Sequence, residues 1–242
     1  MTLIDIDAVR ARVTEWWPTV TYIDSVGSTN TAQLSSGTPG SALIAGEQTA
    51  GKGRLGRAWQ SPKGTQLSLS VLIDDPLAAD IGLIPLTVGV AVTDVIPEAR
   101  LKWPNDVLLN GKKLAGILSE ADFSGDAPRV VVGIGLNVAL TAEQLPVEHA
   151  TSLKLAGIDF DWTDLAADLL AAMGRRLAQW RAGDPALLKD YRAVCSSIGQ
   201  EVKLMTPAGD IFGTVDGVND HGEIVVNSVA YSAGDVTHLR PR

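Results

Sequence analysis

The chain has very few of the residues that build disulfide frameworks or metal clusters. Its 242 residues include one cysteine, Cys195, and three histidines, His149, His221 and His238. A single thiol excludes an internal disulfide and fits a reducing compartment. The histidines show no metal-ligand spacing and are interpreted as surface residues. Cys195 is interpreted as a packing residue in a late helix.

Long apolar runs and a basic leader are also missing. Glycine, proline or charge interrupts each apolar stretch well short of the roughly 20 residues that a membrane span needs. The first residues, Met-Thr-Leu-Ile-Asp-Ile-Asp, have neither the basic start nor the apolar core of a secretory signal. We therefore expect a cytoplasmic protein without a membrane partner.

Positive charge is scarce overall but unevenly placed. The formal net charge is −8, which argues against sequence-independent binding of nucleic acid. Segments 46–63 and 100–113 nevertheless each carry four basic residues and one acidic residue, so the rest of the chain sums to −14. Two basic islands suggest that both segments meet around an anionic ligand, although surface charges also cluster by chance.

Periodicity predicts a chain of mixed helices and strands. Helices are expected over 5–17, from Ser28, over 84–96, over 163–182 and after Pro185. Strands are expected over 41–47, 65–73 (half-buried), 101–103, 107–110, 113–121 and 130–138, with a hairpin turn at Asn110-Gly111. Residues 51–64 are predicted to be a long glycine-rich loop.

The composition changes near Ser196. Short strand-like runs follow at 201–205, 211–215, 223–226 and 236–239, separated by glycine and aspartate turns. This pattern is typical of a small β-barrel. We therefore expect two domains, residues 1–196 and residues 197–242.

The string from Gly51 to Gly56 matches the pattern G-x-G-x-x-G. A dinucleotide site would need a helix directly afterwards, and Pro62 and Gly64 oppose one. What remains is a flexible loop with three cations, Lys52, Arg54 and Arg57. Such a loop either wraps phosphates or is simply a mobile basic surface.

Three further strings each allow two interpretations. Lys102-Trp103-Pro104-Asn105-Asp106 is a polar turn beside an aromatic, or a capped turn alone. Lys113 opens a strand and either neutralises charge on a phosphate or faces solvent. The glycines of Gly133-Ile134-Gly135 indicate a close approach by a ligand or backbone, or a bulge.

Taken in order, these strings resemble the motif set of the biotin–protein ligases. The set is Ser28-Thr29-Asn30, Gly46 to Trp59, Lys102 to Asp106, Gly111 to Leu118, and Gly133 to Asn137. The resemblance is close from Val20 to Val138, and the small C-terminal domain matches in kind.

The resemblance implies an α+β fold, with a mixed sheet flanked by helices (a class II synthetase-like catalytic domain) and then a small SH3-like barrel. It implies a reaction in which biotin and Mg·ATP form biotinyl-5′-adenylate, and a lysine of a biotin carboxyl carrier protein then takes the biotin. Residues 1–196 would bind biotin and ATP.

The resemblance also implies the site residues. Biotin would be bound by Ser28, Thr29, Asn30, Gln48, Gly51, Lys52, Arg54, Lys113 and Gly116. ATP and the adenylate would be bound by Arg54, Arg57, Trp59, Lys113 and Asn137. Lys113, Arg54 and Asp106 would be catalytic, with Asp106 holding the metal–phosphate end or orienting the incoming lysine. The magnesium would arrive with ATP.

Two departures and two alternatives accompany this interpretation. Lys52 and Leu55 stand where the family usually has arginine and often a second basic or polar residue, and lysine cannot make a forked contact. The roughly 20 residues before the first matching strand allow one helix, so no DNA binding is expected, and a homodimer stays open. A lipoate or octanoate ligase of the same superfamily and a non-catalytic biotin-responsive regulator are the alternatives.

Overall fold

A computed structural model describes residues 4–76, 79–125 and 127–239. Its helices are α1 (Ile6–Val13), α2 (Thr29–Ser36), α3 (Ile84–Val95), α4 (Trp162–Arg181) and α5 (Ala186–Val194). Its strands are β1 (Thr19–Ile23), β2 (Ser41–Ala45), β3 (Gln48–Lys52), β4 (Ala58–Ser61), β5 (Gln66–Leu72), β6 (Arg100–Lys102), β7 (Asp106–Leu109), β8 (Lys112–Asp122), β9 (Arg129–Asn137), β10 (Glu201–Thr206), β11 (Gly209–Val218), β12 (Ile224–Val226), β13 (Val229–Tyr231) and β14 (Asp235–His238).

The larger sheet has seven strands in the order β1-β2-β5-β9-β8-β7-β6. Only β1 and β2 run parallel, and the other neighbours are antiparallel. Helix α3 packs behind β6 to β9, and α4 packs on α3 and α1. The expected mixed sheet flanked by helices is therefore present.

Helix caps and turns follow the local sequence. The Asp5 side chain accepts from the first-turn amides of α1, and Ser28 caps α2. Asn110 and Gly111 both have positive φ, 51° and 74°, which is the geometry of a two-residue turn. The predicted β7–β8 hairpin is confirmed. The first helix ends at Val13, earlier than expected.

One prediction about this region is wrong in part and another is wrong. Residues 51–64 are not one long loop, because 51–52 and 58–61 belong to β3 and β4, which pair as an antiparallel hairpin around the tip 53–57. Strand β5 is not half-buried, because all seven of its residues are buried. Leu67, Leu69 and Val71 belong to the hydrophobic core, while on the opposite face Gln66 bonds to the hairpin and Ser70 to α2.

The C-terminal strands form a five-stranded antiparallel sheet in the order β13-β12-β11-β10-β14, consistent with the small barrel expected. Strand β13 was not predicted. The Trp103 indole donates to Gly222 O at 2.9 Å, and apolar residues of both sheets belong to one core. The division into domains at residue 196 stays a prediction.

Cysteine and histidine give one confirmation and one correction. Cys195 is buried, as expected of a packing residue, and burial raises its pKa; it is not in the helix, however, because α5 ends at Val194. His238 is not a surface residue. It is half-buried, its Nε2 lies 3.0 Å from Ser197 Oγ, and burial followed by the charge of Lys102 lowers its pKa. Within the described part of the chain, no helix is both long and apolar enough to cross a bilayer.

Candidate active site

One cavity of about 900 Å³ opens between the larger sheet, the β3–β4 hairpin and β14. This volume is that of a site for small molecules. Every residue expected at the site lines the cavity except Gly51. Gly51 lies against the hairpin backbone, where a Cβ would be 2.5 Å from Trp59 O.

Glycines on two paired strands make room for the indole of Trp59. Gly116 of β8 pairs with Gly135 of β9. A Cβ on Gly135 would lie 2.2 Å from Trp59 Nε1, and a Cβ on Gly116 would lie 3.1 Å from the six-membered ring. The glycines therefore indicate close approach by a side chain from the hairpin rather than a bulge.

A chain of hydrogen bonds through two side-chain amides holds Trp59 in this position. Trp59 Nε1 donates to Gln66 Oε1 at 3.0 Å, and Gln66 Nε2 donates to Asn137 Oδ1 at 2.8 Å. Asn137 Nδ2 donates to Thr151 O at 2.9 Å and to Lys113 O at 3.5 Å. Asn137 lines the cavity as expected, but protein partners already engage both ends of its amide.

The start of α2 forms a buried polar cluster at the other end of the cavity. The Thr29 amide donates to Gln48 Oε1 at 2.9 Å, which joins the helix to the hairpin. Ser70 Oγ lies 2.6 Å from both Thr29 Oγ1 and Asn30 Oδ1. A Cβ on Gly133 would lie 2.2 Å from Asn30 Oδ1, so this glycine admits the asparagine side chain.

Asn30 also connects this cluster to a carboxylate. Its Nδ2 donates to Leu118 O at 3.0 Å and to Glu120 Oε2 at 2.8 Å. Glu120 Oε1 in turn lies 3.7 Å from Lys52 Nζ. Both the oxygen and the nitrogen of the Asn30 side-chain amide are therefore hydrogen-bonded to neighbouring residues. Lys52 makes a single ion pair rather than a forked contact.

Asp106 holds two lysines at the centre of the cavity. Its Oδ1 lies 2.5 Å from Lys113 Nζ and its Oδ2 lies 3.4 Å from Lys102 Nζ. Lys113 Nζ also lies 5.5 Å from the ring centroid of Trp59, within the range of cation–π attraction. Strand β8 runs between β7 and β9, so Lys113 faces the cavity from inside the sheet and not from an outer edge.

Both arginines of the hairpin meet a carboxylate of the C-terminal sheet. Arg54 Nη1 lies 2.9 Å from Asp235 Oδ1, and Arg57 Nη2 contacts Asp235 Oδ2. Burial, followed by the charge of Arg57, lowers the pKa of Arg54. Arginine keeps its charge despite such a shift, because its ordinary pKa is far above neutrality.

The cavity is electropositive within an acidic protein. Its lining carries five cations, Lys52, Arg54, Arg57, Lys102 and Lys113, against two carboxylates, Asp106 and Asp235. Both basic islands of the sequence therefore meet here, as expected. No group of three histidine, cysteine or acidic side chains able to hold a metal occurs in the described residues, and both carboxylates of the lining, Asp106 and Asp235, are already paired with cations.

Several lining or neighbouring residues were missed from the sequence. Ser70 and Gln66 belong to the polar side of the alternating strand β5, and that alternation was the available signal. Glu120 lies four residues past Gly116 on β8. Asp235 and His238 carried no local signal, because only the packing of β14 against the hairpin brings them to the cavity.

Comparison with known proteins identifies the family. The model of the biotin/lipoate A/B protein ligase family matches residues 22–137. Biotin--[acetyl-CoA-carboxylase] ligase of Mycobacterium tuberculosis is 38% identical over 93% of this chain and 90% of its own length. The bifunctional ligase/repressor BirA of Escherichia coli is 35% identical over 77% of this chain and 61% of its own length.

Solved structures agree with the sequence relatives. The biotin protein ligase from Aquifex aeolicus, in complex with biotin and ATP, superposes with a TM-score of 0.81 at 27% identity, covering 93% of this chain and all of that one. This confirms the expected fold. The chain belongs to the biotin–[acetyl-CoA-carboxylase] ligases of the biotin/lipoate A/B protein ligase family.

Proposed function

We propose that this chain is an ATP-dependent, AMP-forming biotin–protein ligase that transfers biotin to a lysine of a biotin carboxyl carrier protein. One observation carries the proposal: motif segments that are far apart in the sequence line a single electropositive cavity. A cavity with a polar amide end and a cationic end suits a ligand that has a ureido ring and a carboxylate. The relatives' activity supports the same reaction.

In the first step an oxygen of the biotin carboxylate attacks the α-phosphorus of ATP. The bond from that phosphorus to the bridging oxygen breaks, and pyrophosphate leaves with the electron pair. The obstacle is repulsion between a carboxylate and a polyphosphate, which nearby cations reduce. Lys113 is the central cation, because Asp106 fixes its ammonium group 2.5 Å away and the cavity lies in front of it.

The cations keep free N–H donors although they are paired with carboxylates. Lys113 has three N–H donors and each arginine has five, while the protein contacts occupy one or two of them. Preorganised donors of this kind stabilise charge that develops in the transition state, because they need little reorganisation. Arg54, Arg57 and Lys102 would receive the phosphates, and Lys52, paired with Glu120, would contribute to binding biotin.

Magnesium would be held mainly by the nucleotide. This ion usually keeps several waters and binds through one or two carboxylates together with substrate phosphates, which fits a cavity with few acidic groups. It would supply further charge neutralisation for the phosphates. Asp106 is the candidate protein ligand, and its contacts with Lys113 and Lys102 would be shared with the metal.

The biotin ring would lie at the α2 end of the cavity. Ser28, Thr29 and Gln48 present hydroxyl and amide groups there, and Gly116 lets the indole of Trp59 pack against the sheet beside them. Asn30 and Asn137 would act through their neighbours, because their amides are already bonded. In the second step the acceptor lysine attacks the acyl carbon, AMP leaves, and the amine loses a proton.

The test is biotin-dependent exchange of labelled pyrophosphate into ATP, followed by mass analysis of a carrier domain. Biotin should support exchange and add one biotinyl group to one lysine. Lipoate and octanoate serve as matched acids. Exchange with lipoate or octanoate and none with biotin would contradict the proposal, and biotin binding without exchange would favour the regulator instead. A cytoplasmic location and a homodimer stay predictions.

A further inference from the structure

Asp235 joins the C-terminal sheet to the hairpin through both hairpin arginines. Its two carboxylate oxygens contact different guanidinium groups: Oδ1 lies 2.9 Å from Arg54 Nη1, and Oδ2 contacts Arg57 Nη2. Arg54 Nη1 also donates to Gly234 O at 3.1 Å. The Asp235 side chain is 16% exposed and that of Arg54 25%, so water screens this pair less than it screens a surface ion pair, whereas the Arg57 side chain is 62% exposed.

The backbone around Asp235 is held tightly. Gly234 has a φ of 156°, and a Cβ there would lie 2.8 Å from Leu204 Cδ1 and 2.9 Å from Met205 O. Strand β14 therefore begins in direct contact with β10, and Asp235 pairs with Met205 in the sheet register. The carboxylate is consequently presented from a rigid position.

The hairpin tip has no comparable anchor of its own. Leu55 is 79% exposed at a φ of 57°, and Gly56 follows at 73°. In the described structure, the side-chain hydrogen bonds of Arg54 and Arg57 all go to Asp235 and Gly234. Fixing a free residue costs roughly 1–2 kcal/mol of conformational entropy, so the carboxylate is what keeps these two side chains at the cavity wall.

We propose that Asp235 is a positioning residue for ATP: from the C-terminal sheet it fixes Arg54 and Arg57 in place for the phosphates. One carboxylate offsets only one of two positive charges, so the pair stays cationic. Each guanidinium group also keeps unused N–H donors that can face the cavity. The inference rests on the proposed function in naming ATP as the ligand.

The first experiment measures steady-state pyrophosphate exchange with Asp235→Asn. The KM for ATP should rise about tenfold, the scale of losing a charge-assisted contact in a partly buried site, while the KM for biotin changes little. Asp235→Glu keeps the charge and should lie closer to the wild type. Asp210→Asn is the matched control, because Asp210 pairs with Lys203 within the C-terminal sheet at 2.7 Å and should leave both KM values unchanged.

A second experiment does not depend on activity. Trypsin must bind an arginine side chain to cut after it, so release of Arg54 and Arg57 in Asp235→Asn should speed cleavage at the hairpin in the ligand-free protein. Asp210→Asn should be cut at the wild-type rate. If the wild type shows no biotin-dependent exchange, the proposed function fails, while the cleavage comparison still tests whether Asp235 holds Arg54 and Arg57 in place.

Three outcomes would overturn the inference. The first is an unchanged KM for ATP in a folded Asp235→Asn protein. The second is an equal rise in the KM values for ATP and biotin, which would indicate a general structural role. The third is equal cleavage of the hairpin in Asp235→Asn and in the wild type.

Discussion

Gly135→Ala should dislodge Trp59 from the floor of the cavity. A Cβ at this position would lie 2.2 Å from Trp59 Nε1 and 2.5 Å from Cε2, far inside van der Waals contact. Strand β9 pairs on both sides in the centre of the sheet, so the indole must move instead of the backbone. That movement breaks the 3.0 Å bond from Trp59 to Gln66.

Gly135→Ala should weaken the binding of ATP more than it lowers the stability of the fold. Overpacking typically costs about 1–3 kcal/mol, and Trp59 is half-buried, so it can swing towards solvent. We therefore expect a loss near the lower end, about 1 kcal/mol in the free energy of unfolding. Affinity for ATP in the presence of biotin should fall at least about tenfold, because the Trp59 indole no longer lines the cavity in its original position.

Two variants serve as controls for the Gly135→Ala experiment. Gly217→Ala adds the same methyl group to β11, where a Cβ would meet nothing within 4 Å. In the double variant with Trp59→Ala, the added methyl at Gly135 has no indole to displace. The effect of the glycine substitution should therefore shrink in that background, which a double-mutant cycle measures.

Denaturant unfolding and calorimetric titration with biotin and then ATP supply the measurements. The reasoning would be refuted by Gly135→Ala binding ATP as tightly as the wild type. It would also be refuted if the methyl group were equally harmful with and without Trp59, because the predicted clash requires the indole.

Four further predictions follow from the site and the charges. Lys113→Ala should slow adenylate formation by about 10²- to 10³-fold, the effect of removing one preorganised donor, whereas Lys112→Ala, at the exposed neighbouring lysine, should not. A near-wild-type rate in Lys113→Ala would show that Lys113 has no part in adenylate formation. Burial and then a neighbouring lysine lower the pKa of His238 in the folded protein, so the free energy of unfolding should fall as the pH drops below about 6.5. His238→Gln should flatten this part of the pH profile of stability, whereas His221→Gln, at an exposed histidine, should leave it unchanged. The β3–β4 hairpin should be cut more slowly by trypsin with biotin and ATP than without them, since phosphates add contacts to its cations; equal rates would mean that these ligands do not contact the hairpin cations. Gel shifts at moderate salt should show no sequence-selective DNA complex, because the chain is acidic and α1 is docked on α4 through Arg12; a salt-resistant selective complex would contradict this.

The sequence alone determined the features that depend on neighbouring residues. Helix caps at Asp5 and Ser28, the Asn110-Gly111 turn and the amphipathic helix α4 all follow from contacts within a few positions. The ordered motifs also indicated the family. Twelve of the thirteen expected site residues line the cavity, with Gly51 the exception.

Tertiary structure decided which of these polar side chains are bonded to other parts of the protein. Asn30 and Asn137 are engaged by partners more than 10 positions away, so no local pattern shows that their amides are already used. The hairpin nature of residues 48–61 depends on cross-strand pairing, which the glycine-rich composition obscured. Asp235 meets Arg54 across 181 positions, and such a contact exists only because the C-terminal sheet packs beside the hairpin.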